Sequence, residues 1–437
     1  MGLTIEVAGQ ATKRGIIPRQ PTPDRLLADA QEWIDREHGQ AVRSMRRDRT
    51  PAGAIELTVD LHPAAEPVTI AADAAGRVRA WAEVTAVGPG YHTFIARLLE
   101  RLGATLGIVW LEDPGAARPA DMVAGERARG QAREQLLERG DVERAHLESL
   151  GQLLGRVLEL RRAGDTGIHV GLRPGTRFSS DGAIVTPLGP RDDDWLDRAA
   201  RDARVARDIR PWWLDAMDAQ YHLQRSLCIM WTEIRWRPPT DDAEVATFDE
   251  ALRHLRRALP MDPSLPYPWR EWQELISLRG VSDPIEHRVT PRAASAGASP
   301  TPIGYRRRPI TVVQEGWSLE VPGDFSEHRT SEQWRGRDRG RAVTLAGGVI
   351  GTERDPMPPE TFLAEIAPSL GDSVLNHRDG ELLGTARIGT DASSGIEVAV
   401  LEGYAAVPGR GAAIRIVFDE ATDWQWAVNL WRSLRPA

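Results

Sequence analysis

Of the 55 lysine and arginine residues in this 437-residue sequence, only Lys13 is a lysine. Schiff-base catalysis would have to use that residue, which sits in a polar stretch near the N-terminus, so this chemistry is not expected. The same lack removes the Gly-Lys pair of a phosphate-binding Walker loop. Cysteine is equally scarce. Cys228 stands alone, which rules out an internal disulfide and any cysteine-based zinc site. Its neighbours Leu227, Ile229 and Met230 place it in an apolar helical context, where a thiol reads as a small buried hydrophobe. No apolar run is long enough to span a bilayer. The opening MGLTIEVAGQ lacks the basic region and apolar core of a secretion signal. The histidines are scattered with neither His-Glu-x-x-His nor a close pair, and no Gly-x-Ser-x-Gly elbow occurs. The expectation is a bacterial cytoplasmic protein with no metal, no cofactor and no membrane insertion.

What is present is ordinary for a soluble globular protein: 41% hydrophobic and 27% charged residues. A net charge of -8 gives no basic footprint for nucleic acid. The arginine bias, with abundant alanine and glycine, reads as the codon usage of a GC-rich genome. The length exceeds one compact core, so the chain is expected to be a multidomain α+β protein. Its parts are an N-terminal mixed α/β block, a tryptophan-rich helical middle and a C-terminal antiparallel sheet flanked by helices.

The first block covers residues 1–115. Thr22 precedes a helix with Leu26, Leu27, Ala30 and Trp33 at helical spacing. In RVRAWAEVTAV, Val78, Ala80, Ala82 and Val84 share one strand face while Arg77, Arg79 and Glu83 take the other. TAVGPGYHTFIARLLERLG follows. Gly88 and Gly90, with Glu112 and Asp113 further on, partly match a dinucleotide fingerprint. Thr93 occupies the third glycine position, and Pro89 removes an N–H that a phosphate would need. A turn into a helix fits better, with Tyr91, Phe94, Ile95, Leu98, Leu99 and Leu102 on one face, Gly103 as its stop and His92 off that face, solvated or hydrogen-bonded.

Residues 116–286 read as mainly helical. Leu147, Leu150, Leu153, Leu154 and Leu158 form one stripe, and a hairpin is expected across 167–190. Asp192, Asp193 and Asp194 suit a helix start better than a cation site. Tryptophans 195, 212, 213, 231, 236, 269 and 272 mark the stretch from 191 to about 280. FDEALRHLRRALPMDPSLPYPWREWQELISL resembles a single tetratricopeptide-like helical pair, whereas a stable stack needs about three repeats. Residues 287–304, rich in proline, alanine and serine, read as a linker.

Residues 305–437 show strands, a helix, further strands and a terminal helix. The order resembles the PsbP/DcrB-like fold, and Gly316-Trp317-Ser318, Val321-Pro322-Gly323-Asp324-Phe325 and the closing Trp426-Ala427, Leu430-Trp431, Ser433-Leu434-Arg435 carry the resemblance. It implies a binding module, with the Eag-type secretion chaperones as one branch. Trp334, Arg335, Arg337 and Arg339 of WRGRDRGR are candidate partner contacts, as are Tyr91 and His92. The functional expectation is a protein-binding chaperone, adaptor or immunity-type component of a toxin, secretion or defence system. The alternative is an enzyme with its site in the N-terminal block or where that block meets the helices.

Overall fold

The computed structural model describes residues 4–12, 21–50, 53–111, 142–210, 217–297, 301–330, 332–352, 354–370, 374–392, 397–419 and 421–437. Glu112, Asp113, Trp212 and Trp213 lie outside the described residues. Among those that are described, no helix is long and apolar enough to cross a membrane. The multidomain α+β architecture is as expected.

The N-terminal unit is built on alternation. Strands β1 (Thr4–Ala11), β2 (Ser44–Arg49), β3 (Ile55–Asp60), β4 (Val68–Ala72), β5 (Arg77–Glu83) and β6 (Ile108–Trp110) form one sheet in the order β2-β3-β4-β5-β1-β6, each pair antiparallel. Val78, Ala80 and Ala82 of β5 are buried and Arg77, Arg79, Trp81 and Glu83 are exposed, as period two requires. Helix α1 (Pro23–His38) starts where Thr22 accepts a hydrogen bond from the Arg25 amide, and its apolar face joins this core.

The turn into α2 (Pro89–Leu106) depends on Gly88 rather than Gly90. Gly88 has φ 92° and ψ -169°, a region essentially reserved for glycine, and a Cβ there would lie 2.8 Å from Arg210 Cδ. Gly90 is already inside the first helical turn. The helix also runs past Gly103 and stops at Gly107, whose φ is 63°. Gly103 is needed for another reason: a Cβ there would sit 2.3 Å from the Trp110 indole nitrogen, which donates to the Leu99 carbonyl. His92 is buried. Helix α3 (Val142–Arg162) packs over α2, so the face turned away from the sheet is also covered. The strand entering the turn, β5, is antiparallel to both neighbours, unlike the parallel strands of a dinucleotide fold.

Leu150 and Leu154 of the α3 stripe are buried against Ile168, Val170, Ile184 and the helix α4 (Asp193–Arg201). Asp192 caps α4 by accepting from the Trp195 amide at 2.7 Å. The hairpin expected across 167–190 is shifted. β8 (Ile184–Thr186) pairs with β9 (Gly189–Arg191), while β7 (Thr176–Phe178) leaves to pair with β10 (Ile310–Gln314). Helices α5 (Ala219–Thr232), α6 (Asp242–Met261) and α7 (Trp269–Arg279) share a core with Trp272 at its centre.

The stretch read as linker, residues 287–304, begins inside helix α8 (Glu286–Ser295), which packs against α7. Val289 is fully buried there, and one anchored apolar side chain among helix-forming arginines and alanines outweighs Pro291. Residues 305–437 therefore do not close on themselves: their four-stranded sheet, β19-β11-β10-β7, takes β7 from the middle region. That sheet also contains β11 (Trp317–Val321) and β19 (Arg435–Pro436).

A second sheet of seven strands, wholly antiparallel, runs from β12 (Ser326–Arg329) and β13 (Gln333–Arg337) to β14 (Arg341–Val349), then β18 (Arg410–Phe418), β17 (Val398–Val407), β16 (Leu382–Asp391) and β15 (Val374–Asp379). Helix α9 (Pro359–Leu370) packs on its central strands, and the terminal helix α10 (Trp424–Arg432) sets Trp431 against Gly403 and Gly384. Trp424 at the start of this helix is exposed, whereas Ala427, Leu430 and Trp431 are buried.

Gly88→Ala should destabilise the protein by about 1–3 kcal/mol through its positive φ. Gly90→Ala, in an allowed helical conformation, should fall within about 1 kcal/mol of the wild type. Urea unfolding of the two variants measures the difference, and equal losses would mean that φ at Gly88 is not the constraint.

Candidate functional site

The three parts of the chain meet around arginine. Arg43, at the end of the loop after α1, is buried and bonds Glu233 at 2.7 Å and Glu250 at 2.9 Å, with Asp60 at 3.6 Å. Arg225 of α5 has no exposed side-chain surface; it reaches Glu250 at 2.8 Å and the Ala41 carbonyl at 3.0 Å and donates to the Tyr221 hydroxyl. Burial alone would raise the Glu250 carboxyl, but Arg43 and Arg225 outweigh it and hold that group below its ordinary range. Arg173 bonds Asp60 and the His62 carbonyl from the other side. The N-terminal sheet is thus tied to the helices by charges that neither part could bury alone.

A second cluster ties the helices to the C-terminal sheets. After α5 the chain runs through Ile234-Arg235-Trp236-Arg237 and bends at Trp236, whose φ is 52°. Arg235 donates to the Phe325 carbonyl and Arg237 to that of Asp324. Arg306 donates to the carbonyls of Thr232 and Gly323. The Val321-Pro322-Gly323-Asp324-Phe325 segment is therefore gripped through its backbone. Gly323 permits this approach, because a Cβ there would lie 2.2 Å from the Arg308 carbonyl oxygen. Trp236 points the other way, under the Arg307 guanidinium at 3.7 Å and against Gly304.

The carboxylates here are Glu244 and Glu327. Glu244 is held by both Arg237 nitrogens, the Ser326 hydroxyl and the Thr240 amide. Burial opposes its ionisation, and these donors with Arg235 nevertheless hold it down to about 2. Glu327 pairs with Arg306 at 2.6 Å and accepts from the Trp334 indole. Arg235 is the least compensated cation, its nearest carboxylate oxygens at 3.4 and 4.0 Å. Burial and the neighbouring Arg306 both lower its pKa.

Two clefts open beside this cluster and share Arg235 and Arg306 as walls. The larger, about 800 Å³, is lined by Arg235, Arg237, Arg306, Arg307 and Arg308, with Trp236 and Trp426 as apolar surfaces and Glu320 and Asp324 as its acids. Its lining contains neither histidine nor cysteine. The smaller, about 320 Å³, lies where all three parts converge.

The residues singled out in the sequence are dispersed. Tyr91, His92 and Trp334 are buried, so none of them offers a surface to a partner. Arg335, Arg337 and Arg339 are exposed on β13 and the turn after it, away from the lining of either cleft. Burial pushes the Cys228 thiol up to about 12, which makes it unreactive as a nucleophile. Among the described residues no group of three or more histidine, cysteine and acidic side chains is placed to hold a metal. The residues sequence reading missed are those of Arg-Trp-Arg-Pro-Pro (235–239) and Tyr-Arg-Arg-Arg-Pro (305–309). The signal was two arginine-dense segments, each closed by proline and flanked by an aromatic.

No family model matches the chain, and no curated protein sequence matches it. Among solved structures, one from Bacteroides thetaiotaomicron VPI-5482 aligns over 29% of this chain and 48% of its own, at 10% identity and a TM-score of 0.25. So loose an overlap carries no argument about fold or activity.

Glu250→Ala leaves Arg225 buried without its carboxylate and should cost about 3–5 kcal/mol. Adding Arg225→Met should recover part of that loss, and strictly additive costs in urea unfolding would show that the pair is not coupled. Glu244 has a depressed folded pKa, so its contribution is complete above the unfolded value near 4.5 and is lost as pH falls toward about 2. Glu244→Gln should lower stability at neutral pH and flatten its acid dependence across that window.

Proposed function

We infer that this protein works by binding another protein, and that the larger cleft receives an acidic segment of it. The observation that carries this reading is the lining: five guanidiniums against two carboxylates, with two indole faces, on a cleft of about 800 Å³. Guanidinium groups stay charged at any physiological pH and offer planar, paired donors to carboxylates. Arg235 has its nearest carboxylate oxygens at 3.4 and 4.0 Å, so an incoming acid can supply a shorter contact. Trp236 and Trp426 add apolar contact beside those donors, the composition enriched in binding hot spots. Groups of fixed charge recognise a ligand rather than shuttle protons, which favours binding over the enzyme alternative. The finer assignment, a chaperone, adaptor or immunity-type component of a toxin, secretion or defence system, rests on the resemblance of residues 305–437 to PsbP/DcrB-like binding modules.

The test is fluorescence anisotropy with a labelled oligo-glutamate peptide containing two tryptophans, against a glutamine counterpart. Arg308 is exposed and its partner Asp181 is too, so Arg308→Glu should fold normally. The acidic peptide should bind, weaken steeply with salt, and lose about tenfold in affinity to Arg308→Glu. Equal binding of the two peptides, or no effect of Arg308→Glu, would overturn the reading.

A further inference from the structure

The five guanidiniums that line the larger cleft are not equivalent. Arg237 is held by both oxygens of Glu244 and bonds the Ser326 hydroxyl, and its Nε donates to the Asp324 carbonyl. Arg306 pairs with Glu327 at 2.6 Å, and Arg307 pairs with Glu274 at 2.5 and 3.0 Å. Arg308 pairs with Asp181. Each of these four has a carboxylate of its own. Arg235 has none: Glu244 and Glu327, its nearest acids at 3.4 and 4.0 Å, are the partners of Arg237 and Arg306. Its Nε donates to the Phe325 carbonyl, while Nη1 and Nη2 make no hydrogen bond among the described residues. Both of these nitrogens keep contact with solvent, in a side chain that is 16% exposed and forms part of the cleft wall.

A second cost sits at the next residue. Trp236, with φ 52°, holds a left-handed conformation that so large a side chain rarely adopts. An undercompensated cation and a strained tryptophan both weaken the free protein, and they are neighbours on one wall of one cleft. Such departures from local rules collect where a protein meets its ligand.

We propose, as an inference that rests on reading this cleft as the site of an acidic segment, that a single carboxylate selects the segment. That carboxylate bonds Arg235 Nη1 and Nη2 as a bidentate pair, and a bulky apolar residue beside it rests on Trp426. The partner class is therefore an isolated glutamate or aspartate next to an aromatic or large aliphatic residue, not an acidic run. The other four guanidiniums draw an anion toward the cleft, but each is already matched by an acid of this chain. Further acids on the segment would meet Glu320 and Asp324, which line the same cleft and pair with no cation among the described residues.

The test uses three labelled, C-terminally amidated peptides on a Gly-Ser carrier. One contains a single Glu-Trp pair, one has Gln-Trp in its place, and one has four glutamates before the tryptophan. Anisotropy is read on the full chain at about 150 mM salt, where longer-range attraction is screened. The single-glutamate peptide should bind at least tenfold more tightly than the glutamine one and within about fivefold of the four-glutamate one. Arg235→Met should abolish the preference for glutamate over glutamine. Arg308→Gln, a neutralisation rather than a reversal of an exposed paired charge, should weaken each peptide by less than about threefold. Melting temperatures separate recognition from folding: Arg237→Met takes from Glu244 its paired cation and should lower the unliganded value far more than Arg235→Met. The proposal falls if Arg235→Met keeps the preference for glutamate, or if it destabilises the protein as much as Arg237→Met. It falls alone, with the acidic-segment reading intact, if four glutamates bind and one does not. If neither acidic peptide binds, both fall.

Discussion

A guanidinium removed from water must find carboxylates and carbonyls, and in this protein it finds them on other parts of the chain. Arg225 is wholly buried in a helix, yet its partners are Glu250 on the next helix and the Ala41 carbonyl in the N-terminal unit. Arg43 reaches the opposite way, from the N-terminal unit to Glu233 and Glu250. Each separated part would carry an uncompensated buried charge, or would have to open and hydrate it. The parts are consequently interdependent, although each has its own apolar core. β7 reinforces this by pairing with β10 across the boundary.

The same economy shapes the clefts. Arg235, Arg237 and Arg306 hold the 321–325 segment by its backbone carbonyls, which uses some of their donors and leaves the outer edges of the guanidiniums toward solvent-filled space. The larger cleft inherits an excess of positive charge, because the acids that balance it sit behind its wall. The smaller one includes those acids in its lining, with Glu233, Asp241, Glu244 and Glu327 against Arg173, Arg235 and Arg306.

Local rules carried the reading of single elements. The alternation in β5, the Thr22 and Asp192 caps, the strand order of residues 305–437 and the burial of Cys228 follow from periodicity and side-chain chemistry within a few residues. Where the reading moved, a distant residue was responsible. Gly103 looked like a helix stop and is instead the space for Trp110. His92, set off the apolar face in sequence, is buried. The stretch at 287–304 had linker composition, yet Val289 docks part of it as a helix.

The sequence by itself determined the class of the fold, most of its helices and strands, and the lack of lysine and of paired cysteine with the chemistry these would bring. The tertiary structure alone decided which arginines matter. The run at 335–339, whose Arg335, Arg337 and Arg339 are exposed, stands out in sequence because its charges are close together, whereas Arg43, Arg225, Arg235 and Arg306 are separated by up to 263 positions, 306 minus 43, and converge only on folding. Charge density along a chain is a one-dimensional property. Desolvation, which makes a guanidinium select its partners, depends on what packs around it in three dimensions.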